Sequence, residues 1–330
     1  MIRIVNIVVF IFFYKVVLAQ TNEIDILPRV APYVSFYGSF TYNEYPHQSI
    51  AYSPIGGTGK LYFGGHSDED THKAYLYETD MKLIKSNTYE LDSAYHINDM
   101  MFSDDYKELF VASFDPNKPC HIKVYSSDDF KFLDEIDLTA FFEVGTAIDA
   151  LCNAHTEKMY IVKSGNRVVF FDYDFNEIRR IKIDETDKHG DPLLSQGIEY
   201  YNGYLLQLNA GDYKKIGATK YAYLNVFDAD GCKVETFRYP DSKKYMEAEG
   251  ICCIASGKYL FTHYLGNVIE VRLLDFNRPS HTHTFSDIMD LTIRPDSAVV
   301  GQFYFDLNQN KPLWWSGKKW VDALGNESNQ

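Results

Sequence analysis

The chain has 330 residues, of which 45% are hydrophobic and 16% aromatic, with 26 Tyr and 23 Phe, a composition rich in strand formers and ample for a packed core. It carries 32 Lys plus Arg against 46 Asp plus Glu, a formal charge of −14, and no basic stripe offsets that balance. Such a surface repels phosphate backbones and argues against a nucleic-acid partner.

At the N-terminus Arg3 precedes an apolar run from Ile4 to Phe13, and Val17-Leu18-Ala19 before Gln20 has the form of a small-residue cleavage site. Residues 1–20 thus have the layout of a secretory signal peptide, short for a membrane span and interrupted by Lys15. The alternative is an uncleaved hydrophobic anchor that docks on a partner protein. Residues 21–45 form a lead segment in which Val34 to Tyr42 reads as a strand able to pair with the last repeat.

Five times between residues 46 and 286 an apolar strand runs into an aspartate-containing turn, ending at Asp80, Asp128, Asp174, Asp230 and Asp275. The offsets are 48, 46, 56 and 45 (128−80, 174−128, 230−174, 275−230), the length of a four-stranded propeller blade. A second landmark keeps the same step. First strands begin at Gln48-Ser49-Ile50, Asn98-Asp99-Met100, Ile148-Asp149-Ala150, Gln196-Gly197-Ile198 and Glu249-Gly250-Ile251, offset by 50, 50, 48 and 53 (98−48, 148−98, 196−148, 249−196). Each repeat continues with a strongly apolar second strand, such as Glu108 to Phe114. An alternating third strand follows, such as Arg167 to Asp172, then a charged fourth, such as Glu177 to Ile183. Burial that falls from the inner to the outer strand is what a radial blade requires.

The expected fold is therefore all-β, a five-bladed β-propeller. Closure is open at this stage: Val34 to Tyr42 or Ser280 to Ser286 completes the last blade, or residues 34–45 and the C-terminal segment build a sixth, irregular blade. The turn aspartates read as structural, their oxygens bonding backbone N–H groups two residues on. From about Asp287 the character changes. Trp314, Trp315 and Trp320 crowd into Lys311 to Trp320, read as two short strands around a Ser316-Gly317 turn and as a docking surface for a partner or for the propeller. Residues 287–330 are thus a short Trp-rich β extension.

Polar residues at the starts of the inner strands converge on the propeller axis, the default site of such a ring. The candidates are Gln48, Ser49, Asn98, Asp99, Asp149, Gln196, Glu247 and Glu249, with His96 and Ser195 beside them. Three readings stay open. They satisfy backbone groups and water; they bind sugar hydroxyls while tyrosines such as Tyr200 stack on the rings; or two of Asp99, Asp149 and Glu249 lie about 5–10 Å apart as a glycosidase pair.

No other pattern marks chemistry. Gly56-Gly57-Thr58-Gly59-Lys60 lacks the spacing of a phosphate loop and reads as a hairpin. His281 and His283 have no third metal ligand in view, and Cys120, Cys152, Cys232, Cys252 and Cys253 lack metal-like spacing and read as buried thiols, with one bridge left open. The sequence calls for no cofactor and no metal, and marks no nucleophile.

Two resemblances add context. His47-Gln48-Ser49-Ile50, Ser195-Gln196-Gly197-Ile198 with Tyr204-Leu205-Leu206, and Glu247-Ala248-Glu249-Gly250-Ile251 with Lys258-Tyr259-Leu260 recur in an order that resembles the five-bladed receptor-binding propellers at the tail tips of some bacteriophages of Gram-positive hosts. That likeness spans roughly residues 46 to 281. Gly301-Gln302-Phe303-Tyr304-Phe305-Asp306, Lys311-Pro312-Leu313-Trp314-Trp315, Gly317 and Lys319-Trp320-Val321-Asp322-Ala323 are similar to a C-terminal segment common in tail proteins of phages and prophages of Bacteroidetes bacteria.

Together these imply a virion tail protein contacting host cell-surface polysaccharide through its propeller, with Glu247 and Glu249 in the ligand site. The implied partners are other virion tail proteins, in a homo-oligomer or larger assembly. Alternatives are a five-bladed glycoside hydrolase or lyase acting on surface polysaccharide, and a structural adaptor of the tail. Phage structural proteins assemble in the cytoplasm, so the virion reading makes residues 1–20 an anchor; a cleaved segment points instead to a secreted propeller protein.

Overall fold

The computed structural model of the protein describes residues 32–41, 47–55, 57–66, 74–143, 145–186, 193–210, 221–240, 247–265, 268–279, 303–306, 311–315 and 320–321. The chain divides into two units, Met1–Pro279 and Ser280–Gln330. The first is a five-bladed propeller, as the repeats predict.

Blade 1 is the antiparallel sheet β2 (His47–Ser53), β3 (Lys60–His66), β4 (Ala74–Asp80) and β5 (Lys85–Leu91). Blade 2 is β6 (His96–Phe102), β7 (Glu108–Phe114), β8 (His121–Ser126) and β9 (Phe132–Asp137). Blade 3 is β10 (Ala150–Ala154), β11 (Met159–Ser164), β12 (Arg167–Phe171) and β13 (Glu177–Lys182). Blade 4 is β14 (Leu194–Tyr201), β15 (Tyr204–Ala210), β16 (Tyr221–Phe227) and β17 (Lys233–Pro240). Blade 5 takes β18 (Glu247–Ala255), β19 (Lys258–Leu265) and β20 (Val268–Pro279) from the end of the ring, and its outer strand β1 (Pro32–Thr41) from the beginning.

That last pairing settles closure. β1 runs antiparallel to β20 from Pro32 opposite Pro279 to Thr41 opposite Val268, so one sheet joins the two ends of the propeller sequence. The inner strands β2, β6, β10, β14 and β18 each touch the next, β18 returning to β2. No sixth blade occurs among the described residues. Ser280 to Ser286, His281, His283 and residues 1–20 lie outside them.

The second strands are apolar throughout because each faces two neighbours. Along β7, Leu109 and Val111 enter a cluster shared with blade 1, while Phe110 and Ala112 enter one shared with blade 3. β11 repeats this: Tyr160 and Val162 face blade 2, and Met159 and Ile161 face blade 4. Period-2 alternation thus sends every second side chain into a different seam. Two further clusters fill the seams between blades 4 and 5 and between blades 5 and 1. The outer strands β5 and β9 are largely exposed, as their charge predicts.

The aspartate turns are real, with a corrected alignment. Oδ1 of Asp172 accepts the N–H groups of Asp174 (2.9 Å) and Asn176 (2.8 Å), and Oδ1 of Asp228 accepts those of Asp230 and Cys232 (both 2.9 Å). Asp80 does the same for Lys82 and Ile84, and Asp275 serves Asn277. In blade 2 the role passes to Ser126, whose Oγ accepts the Asp128 N–H at 3.2 Å. Asp128, Asp174 and Asp230 are therefore donors inside turns led by the residue two places earlier. The true acceptors are spaced 46, 46, 56 and 47 (126−80, 172−126, 228−172, 275−228). In blades 1 to 4 the register then steps over one residue of the fourth strand just after the turn.

Bulges also mark the starts of the inner strands, where the register steps over Gln48, Asn98, Gln196 and Glu249. Here the blades approach closely: a Cβ on Gly250 would lie 2.9 Å from the backbone of Ser49 and Ile50 in blade 1. The smaller unit holds β21 (Phe303–Asp306), β22 (Lys311–Trp315) and β23 (Trp320–Val321) in one antiparallel sheet, with Trp315 opposite Trp320. Its tryptophan side chains and the Ser316-Gly317 turn lie outside the described residues.

Two outcomes are expected. Gly250→Ala wedges blade 5 from blade 1 and lowers unfolding free energy by about 1–3 kcal/mol in urea denaturation. Asp172→Ala lowers the melting temperature more than Asp174→Ala, because only Asp172 accepts the turn N–H groups; equal effects would restore the original alignment.

Candidate functional site

Of the predicted axial residues, some bond across the blade seams and others hold backbone groups or a lysine. The His96 ring Nε2 bonds Gln48 Oε1 at 3.1 Å, tying blades 1 and 2. Asn98 Nδ2 donates to the Ile148 carbonyl at 2.7 Å, tying blades 2 and 3. His47 Nε2 meets Thr262 Oγ1 at 2.8 Å across the blade 1–blade 5 seam, and burial lowers its pKa to about 3. Ser49 is fully buried against Gly64, and Gln196 and Glu249 are buried. The side chain of Glu247 lies outside the described residues.

The carboxylates proposed as a glycosidase pair have protein partners. Asp99 accepts the Met100 N–H on Oδ1 and the Leu151 N–H of blade 3 on Oδ2, both at 2.9 Å. Burial pushes its pKa well above the usual range. Asp149 Oδ2 accepts Lys163 Nζ at 3.1 Å and the Gly165 N–H at 2.6 Å. The fully buried Lys163 also pairs with Glu185 at 2.8 Å, and Glu185 accepts Gln207 Nε2, which donates in turn to Ser195 Oγ at 3.2 Å. This chain runs from blade 3 into blade 4.

An axial cavity of about 40 Å³ opens further along the same strands. Its buried part is formed by Glu199, Cys152, Cys252 and Phe102, and its partly exposed part by Tyr52, Tyr106, Asn153, His155 and Cys253. Glu199 follows Ile198, where the other blades carry Ala51, Met101, Leu151 and Cys252. That one acidic residue in an apolar column was the available signal, and the sequence reading passed over it. Its Oε1 accepts the Cys253 N–H of blade 5 at 2.7 Å, and its Oε2 the Cys152 thiol of blade 3 at 3.4 Å. Burial raises its pKa to about 8, against the lowering effect of those donors.

Beside it lies a second group that the sequence reading missed. The Asp104 Oδ1 stands 3.3 Å from His155 Nδ1, and His155 Nε2 stands 3.1 Å from the Tyr106 hydroxyl. A carboxylate only accepts, so Nδ1 carries the proton and Nε2 receives the Tyr106 O–H. Tyr106 stacks on the imidazole at 5.1 Å between centroids and holds φ at 59° in the left-handed region, rare for an aromatic residue. Residues 49 to 51 apart come together because both turns sit at the same end of neighbouring blades.

All five cysteines are free, and Cys232 is exposed rather than buried. Burial raises the Cys152 and Cys252 thiols well above their usual range, and burial with the nearby Glu199 charge raises Cys253, which keeps all three protonated and poor nucleophiles. Among the described residues no group of His, Cys, Asp and Glu is arranged to hold a metal.

These features define a five-bladed β-propeller with a buried acid on its axis. No family model matches the chain, and no curated protein does. Among solved structures it is similar to the glutaminyl cyclase of Myxococcus xanthus, with 14% identity over 74% of this chain and 98% of that one, at a TM-score of 0.48. A likeness of that size carries no argument about activity; the fold stands on the blade topology.

Glu199 binds its proton more tightly folded than unfolded, so its stabilising contribution is full below about pH 4.5 and is lost as pH rises to about 8. Glu199→Gln has no such loss, so its stability relative to the unsubstituted protein should climb between pH 5 and pH 9 in urea denaturation. A pH-independent difference would refute a buried acid at this position.

Proposed function

We propose that this chain is a non-enzymatic receptor-binding protein of a virion tail, which engages a host cell-surface glycan at the mouth of the axial cavity. The observation that carries the glycan reading is the make-up of that mouth. Tyr52 and Tyr106 supply aromatic surface next to the polar groups of Asn153 and His155. Sugar rings present apolar C–H faces and hydroxyl edges, which such a mixed surface matches. The virion context rests on the tail-protein resemblance of the inner-strand phrases and of the Phe303 to Ala323 segment.

Binding is favoured over cleavage by the count of carboxyls. Glycoside hydrolysis uses two facing acids, and Glu199 is the one carboxyl among the described residues lining the cavity. Asp99 and Asp149 are held by backbone N–H groups and by Lys163. The thiols are protonated, and burial raises the Tyr106 hydroxyl above its usual range despite its bond to His155, which disfavours a nucleophile beside Glu199.

Incubation with host capsular polysaccharide tests this reading. The expected result is retention of the polysaccharide at unchanged chain length, weakened at least tenfold in Tyr106→Ala. Chain shortening that disappears in Glu199→Gln would overturn it in favour of a glycosidase or lyase.

A further inference from the structure

We infer that the axial cavity accepts an organic ammonium group, so that the glycan engaged there carries a protonated amine. The inference rests on reading the cavity as the ligand site and adds the chemical class of the group that enters it.

Charge is the first argument. The cavity contains the Glu199 carboxyl, and no lysine or arginine lines it among the described residues. Elsewhere in the ring buried acids such as Glu78 and Glu270 have cations of their own, Lys60 at 2.9 Å and Arg272, while the buried Asp99 is held by two backbone N–H groups. A carboxylate removed from water is costly unless a positive charge reaches it. The formal charge of −14 on the chain also draws cations toward the surface.

Hydrogen-bonding capacity points the same way. The Cys253 N–H and the Cys152 thiol are directed at Glu199. The Asn153 amide donates to the Phe102 carbonyl at 3.0 Å, and the Tyr106 hydroxyl to His155. These donors are committed within the protein, while oxygen lone pairs on Glu199 and Tyr106 retain capacity to accept. A partner that brings its own N–H groups or positive charge is the complement.

Shape and wall chemistry agree. Faces of Tyr52, Phe102 and Tyr106 suit a cation by their ring quadrupoles. A water needs roughly 10–15 Å³ by the measure that gives this cavity about 40 Å³. The space therefore suits a substituent of a few atoms, with the sugar ring left outside against the aromatic mouth.

Entry of a cation would favour the ionised form of Glu199 and expel its proton. The groups facing Glu199 are the Cys152 thiol from β10 and Cys252 and Cys253 from β18, with the Asp99 carboxyl from β6 and Tyr259 from β19 in electrostatic reach. The thiols and the Tyr259 phenol already hold their protons, so the proton from Glu199 leaves through the cavity to solvent.

Isothermal titration of the full chain decides the matter. Tetramethylammonium chloride, whose charge is fixed at every pH, should bind where sodium chloride does not, with affinity rising at least fivefold from pH 6 to pH 8.5. Glucosamine should bind at least tenfold more tightly than glucose or N-acetylglucosamine. Glu199→Gln should weaken tetramethylammonium at least tenfold and remove the pH dependence. Tyr52→Leu, at a half-exposed position, should weaken it severalfold with the melting temperature retained. Equal affinity for glucosamine and glucose, or cation binding unaltered in both variants, overturns the inference. Polysaccharide retention competed equally by neutral sugars would refute the ammonium site and leave the glycan reading standing. Ammonium binding without polysaccharide retention would do the reverse.

Discussion

A blade buries nothing on its own: its second and third strands carry apolar side chains on both faces, and each face is covered only by the next blade. The structure therefore depends on the pairing of β1 with β20, which brings the two ends of the propeller sequence into one sheet. Without that ladder the seam between blades 5 and 1, which buries Ile50, Phe63, Leu260 and Val271, is held only by side-chain packing. Closure makes all five seams interdependent. The unpaired edges of the inner strands face the axis, where they are shielded from pairing with other chains.

Closure in turn crowds the axis. Five inner strands must meet, and the bulges at Gln48, Asn98, Gln196 and Glu249 mark where four of them do. Glycine solves the problem by size where backbone lies against backbone. Asp99 solves it differently, replacing a missing inter-strand ladder with a side-chain acceptor for the Leu151 N–H of the next blade. Polar residues at this end are thus explained by backbone groups that a radial arrangement leaves without ladder partners.

This explains what was legible in the sequence. The period was visible because each blade repeats the same burial gradient, and the apolar second strands were visible because they serve two seams. The turn aspartates were visible as a type but misaligned by two positions in three blades, since blades 3 and 4 carry a second acid two places on, at Asp174 and Asp230, and blade 2 uses Ser126 as the acceptor. The converging polar residues were visible as a set, whereas their partners were not. Lys163, Glu185 and Gln207 lie on other strands, and nothing local links them to Asp149 or Ser195. Glu199 and the Asp104–His155–Tyr106 group escaped for the same reason, being defined by the stacking of neighbouring blades.

Glu199 differs from the other buried polar residues in one physical respect. Asp99 and Asn98 each supply a bond that a neighbouring backbone group would otherwise lack, and Lys163 is neutralised by two carboxylates. The Cys253 N–H accepted by Glu199 could be served as well by a glutamine oxygen, and the Cys152 thiol needs no partner at all. The ring gains little from an acid there and bears a desolvation cost for it, felt as the rise of its pKa to about 8. Unlike Glu78 and Glu270, which carry Lys60 and Arg272, this carboxyl has no cation on it and faces a cavity with aromatic walls. Such an imbalance is stable only as long as the carboxyl holds its proton, and it becomes favourable once a cation arrives from outside.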